Sequence, residues 1–131
     1  MTPETNDKPP MLQHKFHFTH YKLDCYIVAR ELADLVIEVT KQVPRGHAKM
    51  VDQIVRAATG TEALIAEGAN RYTPKQKRQR FIEARGEAGE VAAHLERLRR
   101  YRFITEEQLM TGLHLADRAC AMLTGLIKRH S

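Results

Sequence analysis

A chain of 131 residues, 43% of them apolar, is long enough for one domain with a buried core. Two cysteines, no tryptophan, no signal-peptide pattern and no apolar run of about 18 residues exclude a disulfide scaffold and a membrane-spanning helix, and predict a soluble cytosolic protein. The net charge of +5 and pI of about 9.4 permit an acidic partner without naming one.

Residues 1–17 read as a flexible N-terminal tail and residues 18–131 as a single domain. At the junction, "HKFHFTH" places His14, His17 and His20 three residues apart. Helical spacing of this kind would nearly align three imidazoles for a metal. The alternating Phe16 and Phe18 point instead to an extended lead-in that tucks aromatic rings onto the domain. No cysteine or carboxylate lies close by in sequence to complete a site, so no metal or other cofactor is expected.

The first helix is predicted from Lys22 to Gln42. Cys25, Val28, Leu32, Leu35 and Val39 recur at spacings of three and four, with a second stripe of Tyr26, Ala29, Ala33 and Val36 beside them. Asp24, Glu31, Asp34 and Glu38 fall on the opposite face, and Pro44 and Gly46 end the run. The second helix is predicted from His47 to Glu67, with Gly60 as a place to bend or to approach another helix. Gly68 reads as the left-handed residue that stops it.

Thr73, Pro74 and Gln76 form a helix start, with a capping box and a proline in the first turn. Phe81, Ala84, Ala88, Val91, Leu95 and Leu98 then repeat through a third helix to about residue 100. Gly86, Ala88 and Gly89 thin its middle for a close neighbour. Thr105 and Gln108 repeat the capping box, with Glu106 and Glu107 at the positive end of the fourth helix dipole. That helix carries one stripe of Leu109, Leu113, Ala116, Cys120, Leu123 and Ile127, and another of Leu115, Ala119, Met122 and Leu126. Cys25 and Cys120 both fall in helical patterns and are expected to be reduced, buried small hydrophobes. Four helices with short connections predict an all-α, antiparallel up-down-up-down four-helix bundle. The second stripes exceed what one core face requires, and are expected to cover a subunit interface.

Catalysis finds little support in these letters. A di-iron bundle site needs Glu-x-x-His on two helices. The third helix offers Glu83, Glu87, Glu90 and His94, but Glu90 and His94 are one residue too far apart for the motif. There is no phosphate-cradling glycine loop, and neither cysteine has a histidine placed to activate it. The chain is expected not to be an enzyme.

The cations are more informative. Arg71, Lys75, Lys77, Arg78 and Arg80 follow Glu67 with no acid among them, at the start of the third helix. Arg97, Arg99, Arg100 and Arg102 lie at its end, and Arg45 and Lys49 at another corner. Arginines suit a helix C-terminus, whereas cations at an N-terminus oppose the dipole. Arg71, Lys75, Lys77, Arg78, Arg80, Arg97 and Arg100 are therefore the candidate phosphate contacts for RNA or DNA, mostly without base specificity. Tyr72 and Tyr101 are candidates to stack on unpaired bases. The alternative for such charges is a solvated helix face.

Several segments together carry a family resemblance. They are "LDCYIVARELADLV" in the first helix, "VPRGH" at the first corner and "DQIVRAA" opening the second helix. "IAEGANR" at the second corner, "FIEARGEAGEVAAHL" in the third helix and "LTGLIKR" near the end continue it. The chain resembles the small proteins encoded in bacterial 23S ribosomal RNA intervening sequences, over about residues 18–129, with "IAEGANR" the most specific part. That family usually carries a Ser-Ile-Pro-type break in the second helix. Here Thr59, Gly60, Thr61 and Glu62 stand in its place, and Glu87 stands where the family often has serine. The family is itself similar to the accessory variability protein of diversity-generating retroelements, a ring-like pentameric bundle with a basic surface. The resemblance thus implies a homo-oligomer, a pentamer, contact with nucleic acid, and a reverse transcriptase or another protein as a candidate partner. It implies no activity. Two other readings stay open: a protein-interaction scaffold that touches no nucleic acid, in which the acidic first-helix face pairs with the basic start of the third, and a monomeric bundle whose stripes are all internal.

Overall fold

The computed structural model describes residues 16–131. His14 and all of the predicted tail except Phe16 and His17 lie outside the described residues. The three-four repeats fold into four helices: α1 (Asp24–Thr40), α2 (Ala48–Asn70), α3 (Pro74–Arg100) and α4 (Glu106–Arg129), preceded by a short 3-10 turn at Thr19–Lys22. No strand occurs among the described residues. Connections at residues 41–47, 71–73 and 101–105 are too short to cross the molecule, so successive helices run antiparallel. Each helix packs on its neighbours in sequence, and α4 packs on α1 to close the ring. The protein is a four-helix bundle.

The core has two parts. Leu32, Val36, Val39, Ile54, Ala58, Val91, Leu95, Leu98 and Ile104 fill the half nearer the α1–α2 and α3–α4 connections. Cys25, Tyr26, Ala29, Ile65, Phe81, Ala84, Leu123 and Leu126 fill the half nearer the α2–α3 corner. A side chain such as Phe81, fully buried here, contributes about 1.5–3 kcal/mol from removal from water. Thr61 is buried among apolar groups and donates its hydroxyl to the Ala57 carbonyl at 2.8 Å, so no hydrogen-bonding group is left unmet there.

Three expectations for the helices need correction. First, Gly68 does not stop α2. It is buried inside the helix, and the positive φ angles among the described residues belong to Gly46 and Arg102. A Cβ on Gly68 would come within 2.7 Å of the Phe81 ring, so the glycine lets α3 press its largest core side chain against α2. The helix ends at Asn70 because Arg71 turns extended toward Thr73, itself held extended by Pro74. Second, Gly86 and Gly89 face open space, so they make no close approach; Gly112 of α4 does, where a Cβ would meet Leu95 at 2.5 Å. Third, the second stripe of α1 is interior: Tyr26, Ala29, Ala33 and Val36 are all buried. On α4, Ala119 and Leu126 are buried while Leu115 and Met122 are half-buried at the core margin. A ring closed on both sides by helices needs a face this wide, so burial inside the bundle accounts for the α1 stripe. Helix α2 is continuous through residues 59–62, and Gly60 faces α3 as its sequence position allows. The two departures from the family pattern meet there, with a Cβ on Gly60 lying 3.6 Å from the Glu87 carboxylate.

Cys25 is buried as expected, and burial pushes its thiol pKa up to about 12. Cys120 is only half-buried, with Sγ 3.9 Å from the Arg85 carbonyl. Both thiols are free. No described helix is long and apolar enough to cross a membrane.

Candidate nucleic-acid interface

The corner between α2 and α3 begins with backbone capping. Thr73 accepts from the Gln76 amide at 3.2 Å, and Gln76 accepts from the Thr73 amide at 3.4 Å, which is the capping box read from the sequence. The cations around it divide by task. Lys77 turns inward and donates to the Ala69 carbonyl at 2.7 Å, closing the end of α2. Arg80 pairs with Glu67 at 3.3 Å and with Glu83. Arg71 reaches the same Glu67 oxygen at 3.3 Å. The five-cation run that looks acid-free in sequence therefore has two carboxylates folded against it. Hydrogen bonds from Gln79 and Arg80 hold the Glu83 carboxyl below its ordinary pKa. Lys75 and Arg78 remain: both are exposed, and neither has a hydrogen bond or ion pair among the described residues. Tyr72 beside them is 95% exposed.

The same corner holds the lead-in. Asn70 donates to the Ala66 carbonyl at 2.8 Å and to His20 Nδ1 at 2.8 Å, and accepts from the Thr19 amide at 3.3 Å. The His20 ring packs edge-on against Tyr26 at 4.7 Å. Burial lowers the His20 pKa below 6.5, which suits a neutral ring accepting from an amide. His17 precedes the 3-10 turn and His20 sits within it, so they share no helical face. No group of three metal-capable side chains occurs among the described residues.

At the far end of α3 the arginines are also divided. Arg97 donates to His94 Nδ1 at 3.1 Å. Arg99 donates to the Ile104 carbonyl at 3.1 Å and pairs with Glu106 at 3.3 Å. Arg100 lies over the Tyr101 ring, 5.1 Å from its centroid. The 17 residues from Arg80 to Arg97 correspond to about 26 Å of helix, so the candidate cations form two groups at opposite ends of the bundle, not one patch.

One junction escapes sequence reasoning. The α1–α2 connection, with Arg45 and His47 and with Lys49 just beyond it in α2, meets the α3–α4 connection: the His47 and Phe103 rings are 5.0 Å apart, and those of Phe103 and Tyr101 6.0 Å. The lack of any glycine at residues 101–105 is the signal that could have drawn notice. The α3 C-terminus closes with Phe103 N–H on the Leu98 carbonyl and Arg102 N–H on the Arg99 carbonyl, placing Arg102 at φ 65 where glycine is usual.

Of the carboxylates considered for catalysis, Glu87 and Glu90 lie in a polar groove of about 410 Å³ between α2 and α3, lined also by Gln53, Arg56, His94 and Arg97. Glu90 and His94 stand 3.9 Å apart, while Glu83 is committed to the α2–α3 corner. Burial, with Glu90 next to it, raises the Glu87 pKa.

A solved structure of a protein of unknown function from the S23 ribosomal protein family of Bacteroides thetaiotaomicron shares the fold. It is 24% identical, aligns with 79% of this chain and 98% of its own, and superposes with a TM-score of 0.73. No curated relative matches the chain. Neither the solved relative nor the matching family carries an enzymatic name. The model of the family described as 23S rRNA-intervening sequence protein matches residues 21–125, and the chain belongs to that family.

Proposed function

We propose that this protein is a non-enzymatic, homo-oligomeric bundle, pentameric as its sequence resemblance implies, that binds RNA or DNA through phosphate contacts. The observation that carries the nucleic-acid part is the pair Lys75 and Arg78. They stand one turn apart on the exposed side of α3, without an acidic partner among the described residues, at a helix end whose dipole opposes them. Folding gains nothing from cations so placed, whereas a phosphate would satisfy both. Arg100 supplies a second contact zone at the other end, with Arg97, hydrogen-bonded to His94, one turn before it, and a ring of copies would multiply both zones by avidity.

The outward face of α3 supports assembly. Ile82, Gly86, Gly89 and Ala93 are exposed at successive three- and four-residue spacings. They make a shallow, mostly uncharged strip between the two basic ends. A reverse transcriptase or other protein partner fits the same reading as an accessory role. The exposed acids Asp24, Glu31, Asp34 and Glu38 on α1 favour the alternative, a protein-interaction scaffold that touches no nucleic acid.

Fluorescence anisotropy with labelled RNA and DNA, at about 50 mM salt, tests the binding. The proposal expects binding that weakens when Lys75 and Arg78 are changed together to glutamine. No binding of either nucleic acid would leave the scaffold reading. Light scattering tests the assembly: a mass of about five times the 15.0 kDa chain is expected, and a 15.0 kDa particle contradicts it.

A further inference from the structure

We infer that the end of the bundle built from the α1–α2 and α3–α4 connections is a site for single-stranded nucleic acid, with Tyr101 as a stacking platform and Arg45, Lys49, Arg100 and Arg102 as its phosphate contacts. This rests on the nucleic-acid reading above, and adds to it the connection cations and aromatic platform at this end and the form of the polymer preferred there.

Three observations converge. The first is the continuous line His47–Phe103–Tyr101, closed by Arg100 over the Tyr101 ring. It joins two connections distant in sequence into one aromatic and cationic surface. Tyr101 is 48% exposed, although its neighbour Phe103 is half-buried against the core. The second is the state of the charges. Arg97 and Arg99 are engaged by His94, Ile104 and Glu106, and Lys41 by Glu38. Arg45, Lys49 and Arg102 are exposed with no partner among the described residues. The nearby acids not paired are Glu96 and Glu107, and Glu107 also sits at the start of α4, where the helix dipole favours it. The third is the backbone. At the α1–α2 connection a glycine, Gly46, takes the positive φ of 99, whereas at the α3–α4 connection an arginine takes φ 65. A side chain held in that region is strained, and folding alone would be served better by glycine. The strained residue is an exposed arginine without a partner among the described residues, next in sequence to Tyr101.

The choice of single strands follows from the ring. A stacking platform reaches only bases whose faces are free, and a duplex hides them. Cations on both connections then follow the backbone on either side of the stacked base.

The test uses the full-length chain with a labelled single-stranded oligonucleotide of ~10 nucleotides and a duplex of the same sequence. The wild type is expected to bind the single strand about tenfold more tightly than the duplex. Tyr101→Ala removes that preference and Tyr101→Phe keeps it. Arg45→Gln with Arg102→Gly weakens binding to both forms, while the fold stays intact because Arg102→Gly relieves the strained backbone. Equal binding of the two forms, or binding unchanged in Tyr101→Ala and in Arg45→Gln/Arg102→Gly, overturns the inference and leaves nucleic-acid binding standing. Failure of the wild type to bind either form overturns both.

Discussion

Gly68 shows how one residue misleads when read along the chain and explains itself in three dimensions. Near a helix end a glycine usually signals a left-handed stop, and the letters around it agree with that. The determinant is Phe81, thirteen residues on, whose ring occupies the place of the missing Cβ. Adding a methyl there should cost about 1–3 kcal/mol through overpacking, although alanine is the better helix former. Gly86→Ala and Gly89→Ala point into open space and should each stabilise by roughly 0.5–1 kcal/mol. Urea denaturation of the three variants checks the sign: a stabilised Gly68→Ala would contradict the close crossing. His20 has a comparable dependence on its surroundings. Burial holds its folded pKa below 6.5, so the folded state prefers the neutral ring. Its contribution is complete above 6.5 and declines as the pH falls through the lowered folded pKa, because the unfolded chain takes the proton first. Denaturation midpoints followed downward from neutral pH should fall, and His20→Gln should flatten part of that fall. His94, lowered first by burial and then by Arg97, accounts for a further part.

At the scale of elements, the capping boxes of α3 and α4 are legible in the sequence because both partners lie within one turn. The corner charges are not, because their partners come from a different helix. Glu67 precedes the turn and folds back onto Arg71 and Arg80, and the acceptor of Lys77 is a backbone carbonyl, which no letter announces. "IAEGANR" is thereby accounted for almost entirely by structure. Glu67 pairs, Gly68 admits Phe81, Ala69 accepts from Lys77, and Asn70 clamps the lead-in. Only the side chains beyond it are available to a ligand. Lys77→Met should therefore lower stability by about 1 kcal/mol, the usual net worth of one hydrogen bond, and leave nucleic-acid affinity unchanged. Lys75→Gln with Arg78→Gln should do the reverse. Chemical denaturation and anisotropy on the same preparations separate the two, and a binding defect in Lys77→Met with normal stability would return that lysine to the interface.

For the molecule as a whole, helix number, order and direction follow from periodicity and short connections, and they agree with the bundle observed. The width of the apolar stripes was the weak guide. In a ring of four helices each member touches two neighbours, so a broad stripe is what the core itself requires, as Tyr26, Ala29, Ala33 and Val36 demonstrate. Which cations share an end is a property of the fold alone: it separates Arg80 from Arg97 and sets the connection carrying Arg45 against that carrying Tyr101, through His47 and Phe103. The surface is thereby polarised, with acids along α1 and basic zones at both ends. The central claim is that these zones bind phosphate, and the most direct measurement is single-strand affinity followed over a range of salt concentrations. Each phosphate neutralised contributes about −0.7 to the slope of log affinity against log salt for a single strand, so several contacts predict a steep negative slope. A slope near zero, or no binding even at about 50 mM salt, would contradict the account.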